Sequence, residues 1–137
     1  MIVLDASAAV EMIRKTDDGK ALWDLCLRNE KIVTCDLFRA EIASVYRKLT
    51  RTGGVTAEMA EAYFYHTLTL IDAFYPIDDL QSEALRESIR LNHSTYDLFY
   101  FVLARRTGAT LFTVDERLIK LCAKNGVEAV SIVSLQR

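Results

Sequence analysis

The chain has 137 residues, of which 51% are hydrophobic, with one proline and five glycines. This composition excludes intrinsically disordered and collagen-like proteins, and the length suffices for one domain, which we predict to span residues 1–137. The formal net charge of −2 argues against a broad phosphate-binding surface, so attraction to a nucleic acid would depend largely on bound cations.

Strands and helices alternate from the start of the chain. Ile2–Leu4 is a short apolar run that predicts a strand ending at Asp5, and a helix is expected over Ser7–Ile13. A second helix fits Asp17–Asn29, because its leucines recur on one helical face. A second short strand is predicted over Lys31–Cys35.

Two long helices are predicted next, and we expect them to pair as a helical hairpin. Asp36 is placed to cap the first, which runs to about Leu49 and is ended by Gly53-Gly54. Thr56 is placed to cap the second, whose apolar stripe continues to about Phe74. A short connection of this kind favours antiparallel neighbours.

The second half of the chain repeats the alternation. The residues of one helix are apolar nearly all round, which predicts that it is buried. The predicted elements are a weak strand at Tyr75–Ile77, a helix ending at Leu91, the buried helix Tyr96–Arg106, a strand at Thr110–Val114, a helix at Glu116–Lys124 and a last strand at Glu128–Val133.

This alternation predicts an α/β fold, a three-layer sandwich in which helices flank a parallel central sheet. In such sheets, ligand sites form beyond the carboxyl ends of the strands. Residues that follow a strand directly are therefore the first candidates for a functional site.

The cysteines and the apolar runs indicate the compartment. Cys26, Cys35 and Cys122 are odd in number and have no CxxC spacing, which argues against a disulfide scaffold and favours a reducing cytoplasm. The longest plainly apolar run, about Leu98–Ala104, is far shorter than the roughly 20 residues that span a bilayer. We therefore expect a cytoplasmic protein that does not bind membranes.

Two aspartates follow predicted strands. Asp5 ends the first strand and Asp115 lies just after the strand at Thr110–Val114, so both are expected at the same edge of the sheet. Each is also well placed to cap the helix that follows it, and for either residue alone capping is the simpler explanation.

Two more carboxylates belong to helices that offer them no charged partner. Asp97 heads the buried helix, where it can interact with the helix dipole, but no other charge follows until Arg105. Glu41 borders the apolar stripe of its helix, and the residues one turn away supply no ion pair. A tertiary salt bridge is the plain alternative for Glu41, because buried carboxylates are rarely left unpaired.

Taken together, Asp5, Glu41, Asp97 and Asp115 predict a metal site. Like charges gathered at one edge of a sheet repel one another and destabilise the fold unless cations neutralise them. Oxygen ligands without accompanying cysteine or histidine suit Mg²⁺ or Mn²⁺ better than Zn²⁺.

Two hydroxyls stand two residues away from an acid. Ser7 follows Asp5 and Thr113 precedes Asp115, so each could orient a carboxylate or a water, although Ser7 could equally be a helix cap. His66 and His93 have no ligand spacing, and we interpret them as surface or structural residues.

The third helix also carries a basic face. We interpret it chiefly as solvated, with backbone phosphate contacts as the lesser alternative. This basic face comprises Arg39, Arg47, Lys48 and Arg51.

With these acids placed, the sequence resembles PIN-domain proteins, and specifically VapC-type toxins of toxin–antitoxin pairs. The resemblance covers essentially the whole chain. It is carried by four segments in order, Leu4-Asp5-Ala6-Ser7, Phe38-Arg39-Ala40-Glu41-Ile42, Tyr96-Asp97-Leu98-Phe99-Tyr100 and Thr113-Val114-Asp115-Glu116-Arg117-Leu118.

The resemblance implies a Mg²⁺- or Mn²⁺-dependent endoribonuclease that is neutralised by a cognate antitoxin and forms a homodimer. In the family pattern, Asp5, Glu41, Asp97 and Asp115 match the four acids in order, with Ser7 and Thr113 as the associated hydroxyls. Our hypothesis is that Asp5 and Asp97 are the main ligands of a catalytic cation, with Glu41 and Asp115 completing the shell.

Two other classes of protein remain open. In an aspartyl phosphotransferase or phosphatase Asp5 would be the nucleophile, but that chemistry generally uses a second acid two residues on, where this chain has Ser7. A lysine in register at the sheet edge would also support that reading, and the sequence predicts none. The other alternative is a non-catalytic partner-binding module, against which the intact acidic set argues.

Overall fold

The computed structural model describes residues 1–26 and 30–130. Four strands, β1 (Ile2–Leu4), β2 (Ile32–Cys35), β3 (Ala73–Tyr75) and β4 (Thr110–Phe112), form a parallel sheet in the order β3-β2-β1-β4. The helices of this part of the chain are α1 (Ala6–Arg14), α2 (Asp17–Leu25), α3 (Leu37–Thr52), α4 (Ala57–Leu68), α5 (Gln81–Leu91), α6 (Thr95–Thr107) and α7 (Glu116–Lys124). The predicted α/β fold with a helix-flanked parallel sheet is confirmed.

The central strand β1 is buried along its whole length, as expected for a parallel strand covered on both faces. It pairs with β2 on one side and with β4 on the other, in a register that places Leu4 beside Phe112. The helix α6 packs against β1, β2 and β4, and its residues Tyr100–Ala104 are buried, which confirms the predicted buried helix.

The helices α3 and α4 form the predicted hairpin. The rings of Tyr46 and Tyr63 stack with their centroids 5.8 Å apart, and the Tyr46 hydroxyl hydrogen bonds the Thr67 hydroxyl at 2.6 Å. Thr56 caps α4 as predicted. Asp36 precedes α3 but makes no side-chain capping hydrogen bond, so the capping role predicted for it is wrong.

The prediction for the end of α4 is wrong. The helix stops at Leu68, because Ala73–Tyr75 pairs with β2 as the strand β3. The Asp72 carboxylate reinforces this pairing by accepting a hydrogen bond from the Ile32 N–H at 2.8 Å. Tertiary pairing therefore outweighs the helical periodicity that continues to Phe74.

Two smaller boundaries also differ, and a third is described only in part. The strand predicted at Tyr75–Ile77 is displaced, since Ile77–Asp79 forms a short 3₁₀ helix instead. For the predicted last strand, Ala129 forms a parallel bridge with Leu111, and residues 131–133 lie outside the described part of the chain. The helix predicted to reach Asn29 is described as far as Leu25, and residues 27–29 also lie outside the described part.

Within the described residues, none of the helices combines the length and apolar character needed to cross a membrane.

The contact between α1 and α2 requires a glycine. A Cβ atom added at Gly19 would lie 1.9 Å from the backbone oxygen of Glu11, closer than any real contact. The absence of a side chain at this position is therefore what lets the two helices approach.

We predict that Gly19→Ala lowers the free energy of unfolding by about 2 kcal/mol, because overpacking against backbone typically costs 1–3 kcal/mol. Helix propensity alone predicts the opposite sign, a gain of about 1 kcal/mol. Urea denaturation measures the change, and Lys20→Ala at the exposed neighbouring position is the control. A Gly19→Ala protein as stable as the parent would contradict the close approach.

Candidate active site

The four predicted acids lie at the carboxyl edge of the sheet or at the helices beside it. Asp5 directly follows β1, and Asp115 lies three residues after β4. Glu41 is in the second turn of α3 and Asp97 in the first turn of α6. Segments distant in sequence therefore supply one acid each to the same region.

These acids line one cavity of about 270 Å³, which we call the acid cavity. The structure thus brings together all four carboxylates and the predicted hydroxyl of Ser7. Its lining comprises Asp5, Ala6, Ser7, Glu41, Ser44, Val45, Lys48, Asp97, Tyr100 and Asp115.

Hydroxyl groups connect Asp5 to the segment that follows β4. Ser7 Oγ donates to Asp5 Oδ1 at 2.8 Å and lies 3.3 Å from Thr113 Oγ1. Ser7 Oγ also accepts from the Val114 N–H, and Thr113 Oγ1 accepts from the Asp115 N–H at 3.1 Å. These bonds give Ser7 and Thr113 a clear positional role, because they fix Asp5 relative to Asp115.

Both aspartates that follow strands also cap helices. Asp5 Oδ1 accepts from the Ala8 N–H at 2.9 Å, and Asp115 Oδ1 accepts from the Arg117 N–H at the same distance. Capping and a place in the cavity are therefore not alternatives for these residues.

Glu41 is held by Tyr100, a contact that the sequence did not reveal. The Tyr100 hydroxyl donates to Glu41 Oε1 at 2.5 Å. Burial raises the pKa of Tyr100 well above its ordinary value, so the phenol remains protonated and available as a donor. The salt bridge considered for Glu41 is replaced here by a hydrogen bond from an uncharged donor.

Asp97 is held by His93, one helical turn before it. His93 Nε2 lies 2.8 Å from Asp97 Oδ2, and the His93 side chain is 8% exposed. The structural interpretation of His93 is therefore correct and the surface interpretation is wrong. The spacing of four residues was a signal for this pair, since such residues face each other on a helix.

Lys48 was also missed as part of the site. The sequence assigns Lys48 to the exposed basic face of α3, yet this residue lines the acid cavity. It brings a positive charge to the same space as the four acids, from a helix instead of from the sheet edge.

Three of the acids in the cavity have raised pKa values. Burial raises the pKa of Asp5 to about 7, although hydrogen bonds with Thr113, Ala8 and Ser7 act in the opposite direction. Burial is also the main cause of the raised pKa values of Glu41 and Asp97, and charge repulsion adds to it at both carboxylates. Such a site favours the arrival of either protons or a cation.

The donor set fits a hard dication. Hydrogen bonds among the described residues use Oε1 of Glu41, Oδ2 of Asp97 and Oδ1 of Asp115, which leaves the second oxygen of each carboxylate available. Within residues 1–26 and 30–130, no three acidic, histidine or cysteine side chains are grouped as closely as the ligands of a bound ion.

A parallel sheet with four carboxylates around one cavity at its edge defines an α/β protein with an acidic, oxygen-only site. Residues 2–124 match the model of the PIN domain, so the chain belongs to the PIN domain family.

A curated relative agrees with this membership, and solved structures share the fold. Ribonuclease VapC12 of Mycobacterium tuberculosis is 30% identical over 118 residues, which cover 86% of this chain and 89% of the relative. The structure of PAE2754 from Pyrobaculum aerophilum superposes with a TM-score of 0.69 at 24% identity, covering 98% of this chain and 94% of that chain. VapBC2 from Rickettsia felis, solved bound to a DNA fragment from its promoter, gives a TM-score of 0.68 at 18% identity, covering 95% and 98%. The resemblance to VapC-type PIN proteins is confirmed.

We predict that the ion-free protein loses stability as the pH rises. The pKa of Asp5 is 3.8 in the unfolded chain and about 7 in the folded protein. Between these two pH values the unfolded state therefore binds fewer protons than the folded state. The free energy of unfolding therefore falls from about pH 4 to about pH 7 and then levels off. In chelator, Asp5→Asn should be more stable than the parent at pH 8 by roughly 3 kcal/mol.

Urea denaturation at pH 5 and pH 8 measures this difference. Asp78→Asn, which removes an exposed carboxylate outside the cavity, is the matched control. If Asp5→Asn loses as much stability as the parent between the two pH values, the buried carboxylate is not the cause.

Proposed function

We propose that the chain is a cytoplasmic, single-domain endoribonuclease of the VapC type, which hydrolyses RNA phosphodiester bonds with Mg²⁺ or Mn²⁺ held at the acid cavity. The observation that carries the proposal is the grouping of Asp5, Glu41, Asp97 and Asp115 around one cavity at the sheet edge. Membership of the PIN domain family and a relative named as a ribonuclease support it.

In this proposal Asp5 and Asp97 are the main ligands of the ion, and Glu41 and Asp115 complete the shell. When bound, such an ion supplies positive charge that stabilises the charge developing on a phosphate, and it makes water a stronger nucleophile near neutral pH. Because the pKa of Asp5 is about 7 without the ion, protons compete for the same carboxylate. Ion affinity is therefore expected to fall in acid.

The remaining residues of the site act on the carboxylates or on the substrate. Ser7 holds Asp5, Tyr100 holds Glu41 and His93 holds Asp97, each through a direct hydrogen bond. Residues that orient metal ligands in this way commonly govern both ion affinity and activity. Lys48 is placed to attract a phosphate toward a cavity that is otherwise acidic.

We predict that Asp5→Asn and Asp97→Asn each lower RNA cleavage by roughly 100-fold or more, because even the loss of a residue that only orients a metal ligand costs about 10- to 100-fold. The assay uses the purified chain alone, a short single-stranded RNA, and buffers with Mg²⁺, Mn²⁺ or chelator. Asp78→Asn is the control and should cleave like the parent.

The melting temperature separates a lost site from a lost fold. Mn²⁺ should raise it in the parent and in Asp78→Asn, and raise it less in Asp5→Asn and Asp97→Asn. Cleavage that persists in chelator, or in both aspartate variants, would rule out this site.

The two rival functions predict different results for the same purified proteins. A phosphotransferase that uses Asp5 as its nucleophile would form a beryllofluoride adduct, and Lys48 is the one feature of the cavity that favours it. A partner-binding module without activity would show neither cleavage nor stabilisation by Mn²⁺. We expect no adduct, and we expect both cleavage and stabilisation.

We further propose a homodimer and a cognate antitoxin as partners, in line with a structural neighbour solved as VapBC2. Apolar side chains exposed on α5 and at the start of α6 offer a surface for assembly, with exposed fractions of 54% for Leu85, 73% for Ile89 and 62% for Tyr96. Sedimentation should give the mass of two chains for the parent and of one chain for Ile89→Glu. A monomeric parent at about 100 μM would contradict the dimer, since stable interfaces have far lower dissociation constants.

A further inference from the structure

A second cavity, of about 330 Å³, lies on the other side of the His93–Asp97 pair, and we call it the basic pocket. Three cations, two amides and an imidazole contribute to its surface, and none of the described residues that line it is acidic. The lining comprises Leu91, Asn92, His93, Arg117, Lys120, Leu121, Lys124 and Asn125.

The three cations of the basic pocket occupy one face of α7. Arg117, Lys120 and Lys124 are spaced by three and four residues, so they form a row along about 10 Å of helix. All three are exposed, and over residues 1–26 and 30–130 none of them forms a salt bridge. Their charges are therefore available to an external anion.

The helix dipole explains only part of this row. Lys124 lies in the last turn of α7, where a cation is favoured. Arg117 lies in the first turn, where the dipole disfavours a cation. Arg117 stands two residues after Asp115, which lines the acid cavity, so it is the member of the row nearest to that cavity along the helix.

The basic pocket is contiguous with the acid cavity. His93 lines the basic pocket and is bonded at 2.8 Å to Asp97, which lines the acid cavity. Asp115 lines the acid cavity and caps the helix that carries the basic row. The two cavities are therefore neighbours, separated by the His93–Asp97 pair.

We propose that the basic pocket binds a backbone phosphate of the RNA next to the one that is cut, so that Lys120 and Lys124 set the register of the strand across the acid cavity. This inference rests on the proposed function. A chain with net charge −2 and four clustered carboxylates repels RNA, and a local group of cations beside the site adds attraction for it. Contacts of this kind position a strand without reading its sequence.

The pocket fits a phosphate better than an acidic, amphipathic peptide. Among the described residues of its lining, only Leu91 and Leu121 are apolar, which offers little surface to the apolar face of a helix. The Asn92 and Asn125 amides add polar groups suited to phosphate oxygens.

The test compares the double variant Lys120→Gln/Lys124→Gln with Lys20→Gln, an exposed lysine of α2 outside both cavities. For cleavage of a 12-nucleotide single-stranded RNA, we expect the double variant to raise KM by about 10-fold with little change in kcat, and to reduce the salt dependence of binding by a slope of about 1. Lys20→Gln should match the parent in both. Stabilisation by Mn²⁺ should be unchanged in both variants, because neither touches the carboxylates.

Binding is measured separately in the Asp5→Asn background, so that it does not depend on cleavage. Single methylphosphonate substitutions along the RNA should weaken binding most at one phosphate beside the scissile one, and the double lysine variant should lose that preference. Unchanged affinity in the double variant, or no preferred phosphate, would overturn the inference. The inference would also be overturned if the double variant still bound RNA but no longer bound a decaglutamate peptide, since the pocket would then serve a protein partner. A parent that binds RNA in this way without cutting it would instead contradict the proposed function.

Discussion

The parallel pairing of β1 with β4 is the constraint on which the site depends. The register that places Leu4 beside Phe112 continues one step further, because the Asp5 N–H donates to the Phe112 carbonyl at 3.1 Å. Asp5 and Thr113 therefore leave the sheet side by side. Backbone pairing alone thus brings the two strand ends together, and the side-chain hydroxyls add hydrogen bonds between them.

Gathering carboxylates at that edge has a cost, and at Asp5 and Glu41 the fold meets it with partners that carry no charge. Hydroxyls reach Asp5 and a phenol reaches Glu41, while Asp97 is held by an imidazole. Each partner fixes one oxygen, whereas a salt bridge with arginine or lysine would have cancelled the charge that a dication needs. The chain does use such neutralising pairs elsewhere, since Glu87 is held by Arg90 and Arg105 and has its pKa lowered to about 2.

The sequence allowed the fold class and the grouping of the acids to be predicted because both follow from local patterns. Buried parallel strands read as short apolar runs, and acids that follow them must share an edge. The end of α4 was missed because its helical stripe extends to Phe74, while pairing with β2 converts Ala73–Tyr75 to strand. Local periodicity cannot report a partner strand 40 residues away in the chain.

Contacts between elements could not be predicted from local sequence periodicity, for the same reason. Tyr100 reaches Glu41 across 59 residues of sequence, and Lys48 enters the acid cavity from an apparently solvated face. The sequence came closer to revealing His93, because its spacing from Asp97 is a helical one, but it predicted only a surface or structural residue and no carboxylate partner.

Capping a helix and lining the acid cavity are compatible for Asp5 and Asp115, because each residue does both. A carboxylate has two oxygens, and a cap uses one of them to accept from the backbone. The cap fixes the carboxylate at the start of a helix, where backbone N–H groups and the dipole help it carry a negative charge. At Asp115 the second oxygen is then oriented by the fold itself. A residue that stabilises the start of a helix can thus also bind a cation. At the carboxyl edge of a parallel sheet, an aspartate that looks like an ordinary helix cap in the sequence can therefore belong to a cation site.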